Sequence, residues 1–167
     1  HLFGQPAEME KILEISKEHK LQIIEDNAQA LGAIYTFKDG KKKKTGTIGH
    51  IGTTSFFPSK NLGAYGDGGA IYTEDDTLAK KIRILANHGM DKRYYHDLVG
   101  LNSRLDSMQA AILDVKLKYL DNYNQKRRNS AIRYSNNLKR INNVITPNLP
   151  SDPQGHVFHQ YTLRILD

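Results

Sequence analysis

The chain has 167 residues, 38% hydrophobic and 25% charged, with 24 Lys+Arg against 18 Asp+Glu for a formal charge of +6. That apolar share lies far above disordered composition and sustains a packed core, and the length suits one domain. No run approaches the roughly 18 apolar residues a membrane helix needs, and a chain without cysteine has no disulfide scaffold, thiol nucleophile or Cys-ligated zinc.

The opening, His1 to Pro6, lacks the basic and apolar regions of an export signal, which leaves the cytoplasm as the default expectation. Pro6 suits a first helical position, and Met9, Ile12, Leu13 and Ser16 follow at spacings of three and four, predicting a helix from Ala7 to His19. Leu21-Gln22-Ile23-Ile24-Glu25-Asp26 reads as a short buried strand with Asp26 at its carboxyl end. Lys41 to Lys44 lie between Gly40 and Gly46, and the run reads as a solvated hairpin tip. A single-strand nucleic-acid binder would interleave aromatic residues there, and only Tyr35 and Phe37 stand near. Thr47 to Phe57 and Gly68 to Thr73 read as two strands, joined through Pro58 and a glycine cluster, with Lys60 on the connection. Asp75 or Asp76 caps a helix from Thr77 to Asn87 that stops at Gly89. From Arg104 to Ile141 there is no Gly or Pro, and Leu105, Met108, Ala111, Ile112, Val115, Tyr119 and Leu120 predict one long helix, broken at most once. Pro147, Pro150 and Pro153 punctuate a loop before Val157 to Ile165, which alternates like a strand. This alternation of strands and helices predicts an α/β architecture with a largely parallel sheet, whose ligands gather at strand carboxyl ends.

Lys60 stands among Phe56, Phe57, Pro58 and Leu62, and their burial would disfavour an ammonium and favour a nucleophilic amine. Such an amine forms Schiff bases, most often with pyridoxal phosphate, which also requires a carboxylate for its pyridine nitrogen and a cradle for its phosphate. Asp26 is a candidate for the first and Ser55, five residues before Lys60, for the second. Each has a structural alternative, a helix cap for Asp26 and a turn for Ser55, and their combination favours chemistry. Gly63, Gly66, Gly68 and Gly69 fit neither a dinucleotide fingerprint nor a phosphate-binding P-loop. The seven histidines lack metal-ligand spacing with carboxylates, so no metal is expected.

Three ordered motifs, I-I-E-D-N-A-Q-A-L-G-A, S-F-F-P-S-K-N-L-G-A-Y-G-D-G-G-A and G-L-N-S-R-L-D-S-M-Q-A-A-I-L, resemble the DegT/DnrJ/EryC1/StrS sugar aminotransferases, as do H-L-F-G-Q-P-A-E-M and N-H-G-M-D-K-R-Y-Y-H. The resemblance runs along nearly the whole chain and implies the middle of a longer enzyme, both ends being truncated. It implies a fold-type I, aspartate aminotransferase-like large domain with a mixed, mostly parallel sheet over residues 1–115. A long connecting helix would cover 116–145, and an α+β small domain would begin at 146–167. It further implies that Lys60 holds pyridoxal phosphate and shuttles the proton. Asp26 would partner the pyridinium nitrogen, Ala28 pack against the ring, Gln29 meet the phenolic oxygen and Ser55 bind the phosphate. Asn102 would reach a neighbouring subunit's phosphate in a homodimer, and Arg104 would face that neighbour's substrate. The implied reaction transfers an amino group, usually from glutamate, to a keto group of a nucleotide-linked sugar. R-Y-Y-H and N-S-R-L-D resemble members acting at the sugar's C3, which favours C3 over C4, and the products of such enzymes usually feed surface polysaccharide, lipopolysaccharide or antibiotic synthesis. A related branch carries histidine at the lysine position and removes a hydroxyl, so Lys60 favours aminotransfer over dehydration. A non-enzymatic basic module built on Lys41 to Lys44 is the alternative from another class; it explains the charge but not Lys60.

Overall fold

The computed structural model describes residues 1–166. Helix α1 (Met9–His19) starts two residues later than the sequence predicts and buries Met9 against Ile23 and Ile48, with Ile12, Leu13, Tyr35 and Phe37 packed around them. It leads into β1 (Ile24–Asp26), which is half the length expected. Leu21 and Ile24 are largely exposed, and the buried residues are Ile23, Glu25 and Asn27, so this strand alternates instead of being covered on both faces.

Strands β2 (Ile34–Thr36) and β3 (Lys42–Lys44) form an antiparallel hairpin. The lysine run is exposed, as expected, but it forms the second strand; the turn lies at Asp39-Gly40, where the Gly40 amide bonds the Phe37 carbonyl. Lys41 pairs with Asp39 at 2.9 Å and Lys42 with Asp152 at 2.7 Å, so half the run already has anionic partners. Strand β4 (Ile51–Ser55) runs parallel to β1, with Asp26 level with Thr53, and antiparallel to β5 (Gly69–Tyr72). The order β1-β4-β5 makes a mixed sheet and brings Asp26 and Ser55 to the carboxyl edge of its parallel pair.

Helix α2 (Asp76–Ala86) is capped by Asp75, whose Oδ1 accepts from the amides of Thr77 and Leu78. A small hairpin, β6 (Met90–Lys92) and β7 (Tyr95–His96), follows. The predicted long helix is two helices, α3 (Ser107–Leu117) and α4 (Leu120–Leu138), broken at Lys118-Tyr119. Neither Gly nor Pro causes the break. It turns Leu120 onto Leu62, Ala64 and Leu113, a core that local propensity does not report.

The expected strand over Val157 to Ile165 is mostly absent: only β9 (Arg164–Ile165) pairs, with β8 (Val144–Ile145). The reason is local. Val157 is buried against Ala30 and Ala33 with its amide bonded to the Gly4 carbonyl, and Phe158 then takes φ 45°, outside extended space. His156, stacked on Phe158 at 3.8 Å, is 3% exposed, and its Nδ1 accepts from the Phe158 amide. Burial holds its pKa down to about 4, the Gly4 carbonyl opposing only in part. Because the unfolded ring binds its proton near 6.5, the contribution of His156 is complete above that pH and is lost as pH falls toward 4. A loss of about 2 to 3 kcal/mol across that window is expected in urea denaturation. His156→Gln should flatten that part of the pH profile; an unchanged slope would exclude His156 as its source.

Candidate active site

Asp26 stands where β1 ends, and the chain turns there through an Asx bond from the Ala28 amide to Asp26 Oδ1 at 3.0 Å. The other carboxylate oxygen makes no hydrogen bond among the described residues. Gln29 comes next in this turn; its Oε1 accepts from the Phe3 amide at 2.6 Å, which leaves the NH₂ end as a donor. Lys60 reaches the same place from the far side of the β4–β5 connection, a tight turn closed by bonds from Lys60 N to Phe57 O and from Ala64 N to Phe56 O. Leu62 anchors this turn in the core, Phe56 is partly buried, and Phe57 and Pro58 face outward, so the lysine is half-buried instead of sealed.

The structure brings four of the sequence-derived residues together. Asp26, Ala28, Gln29 and Lys60, with His1 and Leu2, line one cavity of about 200 Å³. A second cavity, of about 730 Å³, opens on the other side of Lys60 toward Tyr123, Arg127 and His159. Ser55 lies half-buried at the end of β4 outside both linings, with Oγ accepting from the Phe57 amide at 3.2 Å. Asn102 and Arg104 are not brought to Lys60. They are exposed, joined by an Arg104 Nε to Asn102 Oδ1 bond of 3.0 Å, and line a separate cavity of about 430 Å³.

Sequence reading missed Glu25, the residue that holds Asp26 in place. Glu25 is 2% exposed and accepts from the amides of Gly46, Ile48 and Gly49 at 2.7, 2.6 and 2.5 Å. His1 Nε2 meets it at 2.8 Å; His1 Nδ1 accepts from the Ala7 amide, so Nε2 carries the hydrogen. The available signal was the period of two, which puts Glu25 on the buried face with Ile23. No group of three His, Asp or Glu side chains is placed to hold a metal ion among the described residues, and no helix among them is long and apolar enough to cross a membrane.

A mixed sheet with an amine, a carboxylate and an amide donor gathered at the carboxyl end of its parallel strands defines a fold-type I transferase domain. The chain belongs to the DegT/DnrJ/EryC1/StrS aminotransferase family, whose profile matches residues 1–167. It is 51% identical to a pleiotropic regulatory protein of Geobacillus stearothermophilus, over 98% of this chain and 43% of that protein. It is 46% identical to UDP-N-acetyl-3-dehydro-alpha-D-glucosamine 3-aminotransferase of Acidithiobacillus ferrooxidans, over 99% of this chain and 43% of that protein. Among solved structures, Streptomyces venezuelae DesV in complex with a ketimine intermediate superposes with a TM-score of 0.88 at 40% identity, over 99% of this chain and 43% of that one. The chain thus spans less than half the length of the relatives it matches.

Proposed function

We propose that the protein containing this chain is a pyridoxal-phosphate-dependent aminotransferase that moves an amino group from glutamate to the C3 keto group of a nucleotide-linked sugar. The observation that carries this reading is the convergence of Lys60, Asp26, Ala28 and Gln29 on one cavity. Their chemistry fits the cofactor. Asp26 has one oxygen fixed by the Ala28 amide and the other free to accept from a pyridinium N–H. Gln29 has its oxygen occupied by Phe3, so it offers N–H to a phenolic oxygen. Ala28 leaves room for a flat ring, and Ser55 keeps its hydroxyl hydrogen for a phosphate oxygen. Pyridoxal phosphate, when bound, supplies the electron sink that stabilises a carbanion. Lys60 takes a proton onto Nζ from the substrate carbon and returns it, and Asp26 keeps the ring nitrogen protonated by bearing the opposite charge beside it.

The nucleotide-sugar substrate and the C3 preference draw support from the name of the Acidithiobacillus relative. The glutamate donor, the division into a large domain to about residue 115, a connecting helix and a small domain from 146, and a cytoplasmic setting belong to the same reading. So does a homodimer in which Asn102 and Arg104 serve the neighbouring subunit's phosphate and substrate. Val99 is 96% exposed and Leu101 and Met108 are each 71% exposed beside those two residues, apolar surface of the kind a second copy covers. The test is transfer of ¹⁵N from labelled glutamate to UDP-N-acetyl-3-dehydro-alpha-D-glucosamine and to 4-keto nucleotide sugars. Label at C3 is expected. Loss of a hydroxyl without label would show dehydration instead.

A further inference from the structure

The turn that carries Lys60 has two limbs, and they are held in different ways. The first, from Phe57 to Leu62, is closed by the backbone bonds from Lys60 N to Phe57 O and from Ala64 N to Phe56 O. Asn61 adds to it, donating from Nδ2 to Asn124 Oδ1 at 2.7 Å and facing His159 Nδ1 with its own Oδ1 at 3.1 Å. In the second limb, the Gly63 carbonyl and the Tyr65 amide have no backbone partner among the described residues. Side chains of α3 meet both. Gln109 Oε1 accepts from the Tyr65 amide at 2.8 Å, and Lys116 Nζ donates to the Gly63 carbonyl while standing 5.7 Å from the centre of the Tyr65 ring.

These contacts come from one face of the helix. Gln109, Leu113 and Lys116 follow at spacings of four and three, and Leu113 packs on Leu62 and Ala64, so a single stripe of α3 presents an acceptor, an apolar contact and a donor to residues 62–65. Asp106 fixes the start of that stripe, its Oδ1 accepting from the Gln109 amide at 2.9 Å. The turn leaves no slack: a Cβ at Gly63 would stand 2.8 Å from the Phe57 carbonyl oxygen, so the chain doubles back on itself where only glycine fits. Gly63 is buried, and truncating Lys116 would leave its carbonyl without a partner.

We infer that Lys116 and Gln109 are positioning residues for Lys60: by holding the Gly63 carbonyl and the Tyr65 amide against α3, they fix the turn from which the Lys60 side chain reaches the reacting carbon. The inference rests on the aminotransferase reading, in which Lys60 is the base of both half-reactions, and adds residues that act through Lys60. Lys116 also lines the cavity of about 730 Å³ beside Lys60, so direct contact with the substrate is the rival role that a test must separate.

The two half-reactions of the full-length holoenzyme make that separation, because a displaced Lys60 is felt in both and a lost sugar contact in one. Lys116→Met keeps the apolar stem without a donor, and Lys116→Arg keeps a donor. Lys116→Met should lower the single-turnover rate at saturating substrate about 10- to 100-fold with glutamate and with UDP-N-acetyl-3-dehydro-alpha-D-glucosamine alike, the scale of loss that a small misplacement causes. Lys116→Arg should recover to within about threefold of wild type, and Gln109→Leu should repeat the pattern with a smaller loss. In the cofactor-free protein, amide hydrogen exchange at Lys60, Ala64 and Tyr65 should quicken at least about tenfold in Lys116→Met, while the amides of β4 and β5 keep their wild-type rates. A loss confined to the sugar half-reaction, a Lys116→Met enzyme as fast as wild type in both, or faster exchange throughout the sheet would each overturn the inference. The last would mean that Lys116 supports the fold as a whole. Should Lys116→Met fail to fold, Gln109→Leu is judged by the same three criteria. A wild-type protein that takes no cofactor at Lys60 would instead sink the reading beneath it.

Discussion

Replacing Lys60 by alanine is expected to abolish transamination, lowering kcat by at least about 10²- to 10⁴-fold, the range general acid–base catalysis supplies, while leaving the fold intact. Both halves of this expectation come from the site. Lys60 places its amine between the cavity shared with Asp26 and Gln29 and the larger one shared with His159, where it alone combines nucleophile and base. Its Nζ makes no hydrogen bond or ion pair among the described residues, so truncation strands no buried partner. Lys60→Arg sharpens the test, because a guanidinium keeps the positive charge but cannot lose its proton in a protein. If charge alone mattered, arginine would restore turnover; the account predicts that it does not. Thermal denaturation of both variants close to wild type would separate lost chemistry from lost structure.

Replacing Glu25 by alanine is expected to have the opposite profile, a stability loss of about 3 to 5 kcal/mol, a large share of what holds a typical domain together. The side chain is almost fully buried and satisfies three backbone amides of the loop that follows β3, together with the His1 ring. Alanine leaves those donors without partners in a space closed to water, and the desolvation of each is then uncompensated. Glu25→Gln should fall between, since one oxygen remains to accept while the new NH₂ confronts a backbone N–H. Because β1 carries Glu25 and Asp26 on opposite faces, loosening the first also shifts the second. Cofactor affinity should therefore weaken along with stability. Chemical denaturation decides the matter: a loss under about 1 kcal/mol would mean that water enters and replaces the carboxylate.

These two residues also show how far the sequence could be read. Lys60 and Asp26 were legible because each follows a strand-forming run at a change of chain character, where an α/β sheet presents its ligands. Glu25 was not singled out, because Leu21, Ile23 and Ile24 together read as a strand buried on both faces when Leu21 and Ile24 in fact face outward. The break at Lys118-Tyr119 and the turn at Phe158 were hidden for a related reason. No Gly or Pro marks either position; burial of Leu120 and Val157 against distant segments sets both. The Asn124–Asn61–His159 chain joins residues 63 and 98 positions apart, and hydrogen bonds of that span leave no periodic trace in a sequence. Asp75 as a helix cap and the existence of strands at β4 and β5 were readable, from cap chemistry and from the Pro and Gly residues between them; their antiparallel pairing was not. The lysine run was rightly placed on a solvated hairpin but wrongly at its tip, because Asp39-Gly40 supplies the turn and Lys42 finds Asp152 across a span of more than a hundred residues.

In the proposed aminotransferase, Lys60 carries the cofactor. The most direct measurement is to incubate the full-length protein with pyridoxal phosphate, reduce with borohydride to make any imine linkage permanent, and locate the added mass by peptide mass spectrometry. The account predicts one label per chain, on Lys60, and none in Lys60→Ala. Label spread over Lys41 to Lys44, or no stable label at all, would contradict it.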